Sequence, residues 1–487
     1  MVDLHAHAES AALINNLGGA STRSSSPFHN IIRLASGDLV AKALSFLAFV
    51  YLARILGVSD FGILEFASSV LTYLLLFADG GLEMWGTREA AKTADLPAFA
   101  ERILPFRLLL ACMAFATLLL VLPLFPHYPK LLAVIVLYGL SVFAQAISLK
   151  WAFMGQQAMD RVARGLVIGQ VLFAATVLLA IHNTAALLWI PVLRLGGDLA
   201  TAIYFARWFR RVYGRLPFKM SLGGVALAPA LTLGLSQAMG LLNYNFDSVL
   251  LGFMGGPTLV GWYNAAYKLI LIGLTFPITY VVGLFPSLSR SFAESHEEFR
   301  LLVRRSVELW LVFIVPLVVG GIFLADPVIQ FLYGPEYAKS STPLKILVWS
   351  AALVTLRMVY SNSLRATGFQ RIDLGCAMTS AGLNVALNFI LIPRYGMVGA
   401  ASATVSADVV WFVLAFHYFR KCLVPGESFP SLRGPLLAGA AMVFTLWLAR
   451  PIFWPGRAVL SLIAYALALT LFGNFNWRIY IQQTPQP

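Results

Sequence analysis

The chain has 487 residues, of which 59% are hydrophobic and 12% charged, with a formal net charge of +13. Soluble domains carry about 25% charged residues, and a soluble protein of this length could not bury so much apolar surface. The composition therefore excludes an ordinary soluble enzyme. The basic residues lie in short clusters between apolar runs, as in the loops of membrane proteins, which argues against a nucleic-acid partner.

Residues 1–30 are polar and lack the apolar core and cleavage site of a signal peptide, so we predict a flexible cytoplasmic tail there. Beyond them, apolar stretches of about 20 residues recur, which is the length needed to cross a bilayer. They predict an all-α integral membrane protein with about fourteen transmembrane helices (spans 1 to 14). The predicted spans begin near Ile31, Phe61, Ile103, Leu131, Val162, Ala186, Val225, Leu259, Leu301, Leu344, Ile372, Met397, Gly434 and Arg457.

The basic residues predict the orientation of these spans. With the N-terminus in the cytoplasm, the inward connections carry most of the arginines and lysines, including the clusters Arg207 to Lys219 and Arg290 to Arg305. This asymmetry predicts that both termini are cytoplasmic. Every outward connection is short, which leaves little room for an extramembrane catalytic domain. The three cysteines show no CxxC spacing, so we expect neither a disulfide framework nor a metal site, and no cofactor.

The two halves of the chain resemble each other, which predicts a duplicated six-helix unit. The matching residues are Gly155, Gln157 and Asp160 with Gly368, Gln370 and Asp373, the stretch 56–62 with 254–263, and Asp198 before Arg210-Arg211 with Asp408 before Arg420-Lys421. Matching segments are separated by six spans, which is an even number. The two units therefore insert in the same direction, as parallel repeats. We predict an N-lobe at 31–212, a cytoplasmic linker at 213–224, a C-lobe at 225–420, and two appended helices with a tail at 421–487.

Ionisable residues inside spans cost about 2.5–3.5 kcal/mol each on insertion scales, so they usually face a cavity or a partner. Asp38 with Lys42, and Arg194 with Asp198, are four residues apart, and each is open to two interpretations: a structural ion pair or a functional site.

Other charged residues of the spans have no evident partner on their own helix. Lys268 and Arg357 favour a cavity, whereas Arg33, Lys150 and Arg365 favour the membrane interface, to which their long side chains can extend, over a cavity. Asp247 belongs to a polar patch with Asn243 and Asn245. Glu65 and Glu83 are interpreted as rim residues, and Asp79 beside Gly80-Gly81 indicates a helix irregularity. Unpaired cations outnumber unpaired anions, which predicts a cavity that attracts a phosphate or pyrophosphate.

Several short motifs resemble those of a known family. They are Ala53-Arg54-Ile55-Leu56-Gly57-Val58-Ser59-Asp60-Phe61-Gly62, Asp79-Gly80-Gly81-Leu82, Thr87-Arg88-Glu89, Gly334-Pro335-Glu336-Tyr337 and Gly396-Met397-Val398-Gly399-Ala400-Ala401. Together they resemble the polysaccharide-biosynthesis flippases of the multidrug/oligosaccharidyl-lipid/polysaccharide transporter superfamily, over about residues 30 to 420. The resemblance implies two six-helix lobes facing each other in a V around a central cavity.

The resemblance also implies a function and its residues. Such proteins move undecaprenyl-pyrophosphate-linked sugars between leaflets of the bacterial inner membrane by alternating access, in contact with membrane lipids and other polysaccharide-assembly proteins. The residues whose positions fit a cationic substrate site are Arg33, Lys42, Lys268, Arg357 and Arg365. The candidate coupling or paired acids are Asp38, Asp198 and Asp247. Two alternatives stay open: a drug or cation antiporter of the same superfamily, favoured by Asp38, and a membrane polysaccharide polymerase or ligase, opposed by the short outward connections.

Overall fold

The computed structural model describes residues 27–93, 95–216 and 227–472, with side chains for all of these except 27–38, 227–228, 232–233 and 236–244. Most of the predicted tail, most of the predicted linker and the last fifteen residues therefore lie outside the described residues. The described helices, in chain order, are α1 Pro27–Asp79, α2 Leu82–Ala90, α3 Leu96–Val121, α4 Leu131–Gly139, α5 Ser141–Ala146, α6 Lys150–Gly155, α7 Met159–Ala180, α8 Trp189–Tyr213, α9 Leu227–Gly255, α10 Pro257–Gly273, α11 Thr275–Glu294, α12 His296–Phe323, α13 Ala325–Tyr333, α14 Ser341–Ala366, α15 Gln370–Cys422, α16 Arg433–Leu448 and α17 Trp454–Phe472.

These helices confirm the predicted class, an all-α, multi-pass membrane protein. Within the described ranges, nine helices are long and apolar enough to cross a bilayer, and two shorter apolar helices accompany them. The figure of fourteen spans stays a prediction, because a long helix that is interrupted at a break can contain two spans. α1 and α15, with 53 residues each, are both interrupted at one glycine.

Glycine makes both interruptions possible. Gly57 in α1 has φ 71° and ψ 174°, and Gly396 in α15 has φ 55° and ψ −130°. A residue with a Cβ atom rarely adopts such angles, whereas glycine does so readily. The interruptions fall close to the predicted starts of spans 2 and 12, at Phe61 and Met397. Each pair of spans is therefore joined by a single non-helical residue in place of a loop.

Contacts divide the chain into two compact units, Met1–Asn264 and Ala265–Pro487. The first unit extends past the predicted N-lobe, because α9 and the start of α10 pack against α1. The packing is close at Gly62 and Gly261: a Cβ atom on Gly62 would lie 1.8 Å from the carbonyl oxygen of Pro257, and one on Gly261 would lie 2.2 Å from that of Val58. The predicted lobe and linker boundaries stay predictions.

This crossing follows the internal repeat. Gly62 and Gly261 are 199 residues apart in the chain, as are Val58 and Pro257, so each glycine packs on the repeat equivalent of the other glycine's partner. Just beyond the C-terminal end of α1, a Cβ atom on Gly81 would lie 2.0 Å from the carbonyl oxygen of Ala230. We name the pair of contacts at Gly62 and Gly261 the glycine crossing.

The structure corrects the register of the other repeated segment. The sequence match aligns Gly155 with Gly368, but the residue with positive φ in the first repeat is Gln157 (φ 56°), the counterpart of Gly368 (φ 91°). The backbone amide of Ala158 donates to the Phe153 carbonyl, and that of Phe369 donates to the Leu364 carbonyl in the same way. The true spacing is 211 residues, from 157 to 368, because this turn is defined by backbone conformation and not by residue identity.

In the second unit, the two appended helices α16 and α17 pack on α12. Met442, Leu446, Tyr465 and Leu469 are buried in this contact. The hydroxyl of Tyr465 donates a hydrogen bond to the carbonyl oxygen of Val312, at 2.8 Å. The appended helices are thus attached to span 9 through an apolar cluster and one buried hydrogen bond.

Candidate functional site

Four charged side chains meet inside the first unit, in a group that we name the polar cluster: Asp79, Glu83, Arg107 and Lys150. Two of them are positioned by a helix break. α1 ends at Asp79, Gly80 and Gly81 have φ of 54° and 83°, and α2 then begins with Glu83 in its first turn. The Asp79 carboxylate accepts a hydrogen bond from the backbone amide of Glu83, at 3.0 Å. The irregularity predicted beside Asp79 is confirmed.

Arg107 lies at the centre of the polar cluster and is only 4% exposed. Its guanidinium group donates to the carbonyl oxygens of Gln145 at 3.0 Å and Ser148 at 3.4 Å. These carbonyls lie where predicted span 4 is broken between α5 and α6. Irregular backbone at membrane depth is tolerated where it is buried in protein or lines a cavity, so the break and the buried arginine stabilise each other.

The charges of the polar cluster balance. Arg107 Nη2 lies 3.6 Å from Asp79 Oδ1 and 4.0 Å from Glu83 Oε2. Lys150 Nζ contacts Glu83 Oε1 at 2.6 Å. Lys150 is thus held by an ion pair within the protein, which favours the interior over the interface interpretation. Two cations and two carboxylates neutralise one another, as buried charges require.

Gln145 connects the polar cluster to a second ion pair. Its side-chain amide donates to Asp198 Oδ1 at 3.5 Å, while its carbonyl oxygen accepts from Arg107. Asp198 in turn lies 3.5 Å from Arg194, one helical turn earlier in α8. The ion pair between Arg194 and Asp198, one of the two interpretations left open by the sequence, is therefore present.

A cavity of about 460 Å³ opens beside the polar cluster, and we name it the polar cavity. Its polar lining consists of Thr72, Asp79, Glu83, Thr87, Arg107 and Gln145. The side chains of Asp79 and Glu83 keep 19% and 31% of their surface exposed. The volume falls within the range of about 300–1,000 Å³ that is usual for small-molecule pockets.

The second unit contains a different buried arginine. Arg357 of α14 is 3% exposed, and its guanidinium carbon lies 3.5 Å from the centre of the Trp411 ring. One turn before Trp411 on α15, Asp408 accepts a hydrogen bond from the Ser350 hydroxyl. Asp408 is the repeat counterpart of Asp198, and both accept a hydrogen bond from predicted span 4 or its equivalent, span 10.

The predicted substrate residues lie in different surroundings, and their role in binding stays a prediction. The side chains of Arg33 and Asp38 lie outside the described residues, Lys42 is exposed and Lys268 is half-buried. Arg365 donates to the buried Asp373 at 2.5 Å. Asp247 is buried and accepts a hydrogen bond from the Tyr263 hydroxyl at 2.7 Å, whereas the side chain of Asn243 lies outside the described part.

Sequence reasoning missed Arg107 and misjudged Glu65. Arg107 is a single charge inside the apolar run of span 3, two residues after Pro105, and an isolated charge in a span is a signal that could have found it. Glu65 was expected at the rim but is 2% exposed, because the helix that resumes after Gly57 carries it inward. Among the described residues, no group of three His, Cys, Asp or Glu side chains could hold a metal ion.

Comparison with known proteins reveals relatives along most of the chain. The family model described as "Polysaccharide biosynthesis protein" matches residues 28–292, and the MatE family model matches residues 233–390. The "Putative O-antigen transporter" of Escherichia coli strain K12 is 24% identical over 81% of this chain and 97% of its own length. The "Probable flippase AglR" of Haloferax volcanii is 26% identical over 49% of this chain, and the match spans about half of that protein, 52%.

A solved structure shares the fold. The lipid II flippase MurJ in its inward closed conformation matches with a TM-score of 0.74, over 92% of this chain and all of that chain, at 15% identity. At this identity the likeness concerns the fold alone. It agrees with the all-α membrane architecture expected from the apolar runs and the internal repeat.

Proposed function

This chain belongs to the polysaccharide biosynthesis protein family, and we propose that it is a flippase for an undecaprenyl-pyrophosphate-linked oligosaccharide, a unit of a surface polysaccharide. It would move this unit from the cytoplasmic to the outer leaflet by alternating access. The observation that carries the proposal is the match to the O-antigen transporter, which extends over 97% of that protein's length. The chain is accordingly a transporter and not an enzyme.

The structure is consistent with such cargo. A lipid-linked sugar must carry hydroxyl groups and a pyrophosphate through the bilayer, and polar groups at membrane depth are costly unless they meet partners. The polar cavity supplies carboxylates, an amide and an arginine within the membrane-spanning unit. A membrane polymerase or ligase is disfavoured, because the relatives are named as flippases and transporters.

We propose that the protein lies in the bacterial inner membrane with both termini in the cytoplasm. The basic residues of the inward connections support this orientation. Its partners would be the lipid-linked oligosaccharide, the surrounding lipids and other proteins of polysaccharide assembly. Arg33, Lys42, Lys268, Arg357 and Arg365 remain the candidates for contact with the pyrophosphate.

Deletion of the gene tests the function. We expect the deletion strain to lose a surface polysaccharide and to accumulate lipid-linked units in the cytoplasmic leaflet, where an impermeant lectin added to intact cells cannot reach them. Re-expression of the chain should restore the surface polysaccharide and abolish the accumulation. Normal surface polysaccharide in a deletion strain without a redundant flippase would refute the proposal.

The match of the MatE family model to residues 233–390 favours one alternative, a drug or cation antiporter. Such a protein would depend on an acidic residue in the membrane, and Asp38 is the candidate in span 1. Drug resistance conferred by the wild type and lost in Asp38→Asn would support the antiporter. The full-length match to the O-antigen transporter favours the flippase.

A further inference from the structure

We propose that the polar cavity binds the sugar portion of the transported lipid, through hydrogen bonds to its hydroxyl groups, and does not bind the pyrophosphate. This inference rests on the proposed function, and it assigns the cavity to one chemical part of the substrate. The ligand class is a neutral or cationic sugar rich in hydroxyl groups. The reasons lie in the charge and the lining of the cavity.

The charge of the cavity disfavours an anion. The cations that line or flank it are already engaged: Arg107 lies against two carbonyl oxygens and two carboxylates, and Lys150 is paired with Glu83. Of the charged groups that line the cavity, Asp79 and Glu83 keep 19% and 31% of their side-chain surface exposed, whereas Arg107 keeps 4%. A pyrophosphate placed here would meet like charges, whereas sugar hydroxyls would donate strong, charge-assisted hydrogen bonds to these oxygens.

One buried donor in the cavity is ready for a ligand. The Arg107 side chain lines the cavity, is 4% exposed, and its Nε–H has no hydrogen-bond partner among the described residues. A buried donor without an acceptor is costly, and the position is explained if a bound molecule supplies the acceptor. A sugar hydroxyl both accepts and donates, so it can bond Arg107 and a carboxylate at the same time.

The apolar part of the lining complements this polar edge. Leu75, Leu76, Met84 and Met154 line the remainder of the cavity. A sugar ring has polar edges and apolar C–H faces, so it fits a pocket with a few convergent polar groups on an apolar wall. The methionines can adapt to the shape of the ring, because their side chains are unbranched and flexible.

Binding to two lipid probes tests the proposal. The purified full-length protein in nanodiscs is titrated with undecaprenyl pyrophosphate carrying one N-acetylhexosamine, and separately with bare undecaprenyl pyrophosphate. We expect the wild type to bind the sugar-bearing probe more tightly. Glu83→Gln removes the charge but retains an oxygen for Lys150. It should lower the affinity for the sugar-bearing probe about tenfold or more and leave the affinity for the bare probe unchanged.

Two further variants make the result decisive. Thr87→Val preserves shape and charge in the lining and should weaken only the sugar-bearing probe, by about two- to tenfold, the range for a neutral hydrogen bond. Glu308→Gln is the matched control, because Glu308 is also a partly exposed glutamate in an ion pair. Its partner is Arg304 at 3.1 Å, and both residues lie on α12, outside the cavity lining. The affinities for both probes should stay unchanged in this variant.

The outcomes separate this inference from the proposed function. The sugar site is overturned if Glu83→Gln lowers the affinity for both probes equally, or if neither Glu83→Gln nor Thr87→Val changes any affinity. Either result leaves the flippase proposal standing. A wild-type protein that binds neither probe overturns both. Weakening confined to the bare probe would assign the cavity to the pyrophosphate and would likewise overturn the inference.

Discussion

The glycine crossing should tolerate no added methyl group. In Gly62→Ala the new Cβ atom would lie 1.8 Å from the Pro257 carbonyl oxygen and 2.6 Å from its carbon. Carbon and oxygen atoms approach to about 3.3–3.6 Å at the closest in comparable backbone contacts, so the two segments must separate by roughly 1.5 Å. The obstacle is backbone, and no rotation of a side chain can relieve the clash.

The expected cost follows from two opposing effects. Overpacking usually costs about 1–3 kcal/mol, whereas alanine in a helix is about 1 kcal/mol better than glycine. Gly196→Ala is the matched control, because a Cβ atom there meets nothing within 4 Å. We expect Gly196→Ala to be neutral or stabilising, and Gly62→Ala to lower the free energy of unfolding relative to it by about 2 kcal/mol or more.

Cysteine accessibility measures the separation directly. Val260, which is fully buried beside the crossing, is replaced by cysteine in a background without Cys112, Cys376 and Cys422. Its reaction with a water-soluble maleimide should be slow, should accelerate when Gly62→Ala is added and should not respond to Gly196→Ala. Equal stability and equal labelling in the two alanine variants would refute the steric reasoning.

Three further substitutions test buried contacts. Arg107→Met leaves two carboxylates with one cation, and should lower the free energy of unfolding by about 3–5 kcal/mol in detergent-based chemical unfolding. Arg357→Lys loses the planar stacking on Trp411 at 3.5 Å and should cost about 0.5–2 kcal/mol in the same measurement, an effect expected to vanish when Trp411 is already leucine. Tyr465→Phe removes the hydrogen bond to the Val312 carbonyl and should cost about 1 kcal/mol, with faster proteolysis after α15.

Each of these substitutions has a matched control in the same chain. Arg164→Met breaks an exposed pair with Asp160, Arg420→Lys affects a more distant contact with Phe416 at 5.7 Å, and Tyr395→Phe changes an exposed tyrosine. We expect changes within about 0.5 kcal/mol for all three, as is usual for surface positions. A control that destabilises as much as its buried counterpart would contradict the interpretation of that contact.

Much of the architecture could be read from local signals. The apolar runs predicted the membrane class, because crossing a bilayer imposes a length and a polarity that are written along the chain. Glycine indicated the helix break at Gly80-Gly81, since glycine adopts such backbone angles easily. The break before Lys150 has no such residue and was not predicted: its carbonyls are stabilised by Arg107, which lies some 40 residues earlier in the chain.

The polar cluster shows why the site was harder to predict than the fold. Asp79 and Glu83 are four residues apart, but nothing in the sequence indicates that Arg107 and Lys150 meet them. Likewise, Arg357 stacks on Trp411, which belongs to another helix. Composition and apolar periodicity determined that this chain spans the membrane as repeated helices. Which charges meet depends on how each helix is rotated and shifted against its neighbours, and that is set by packing between segments distant in the chain, such as the glycine crossing.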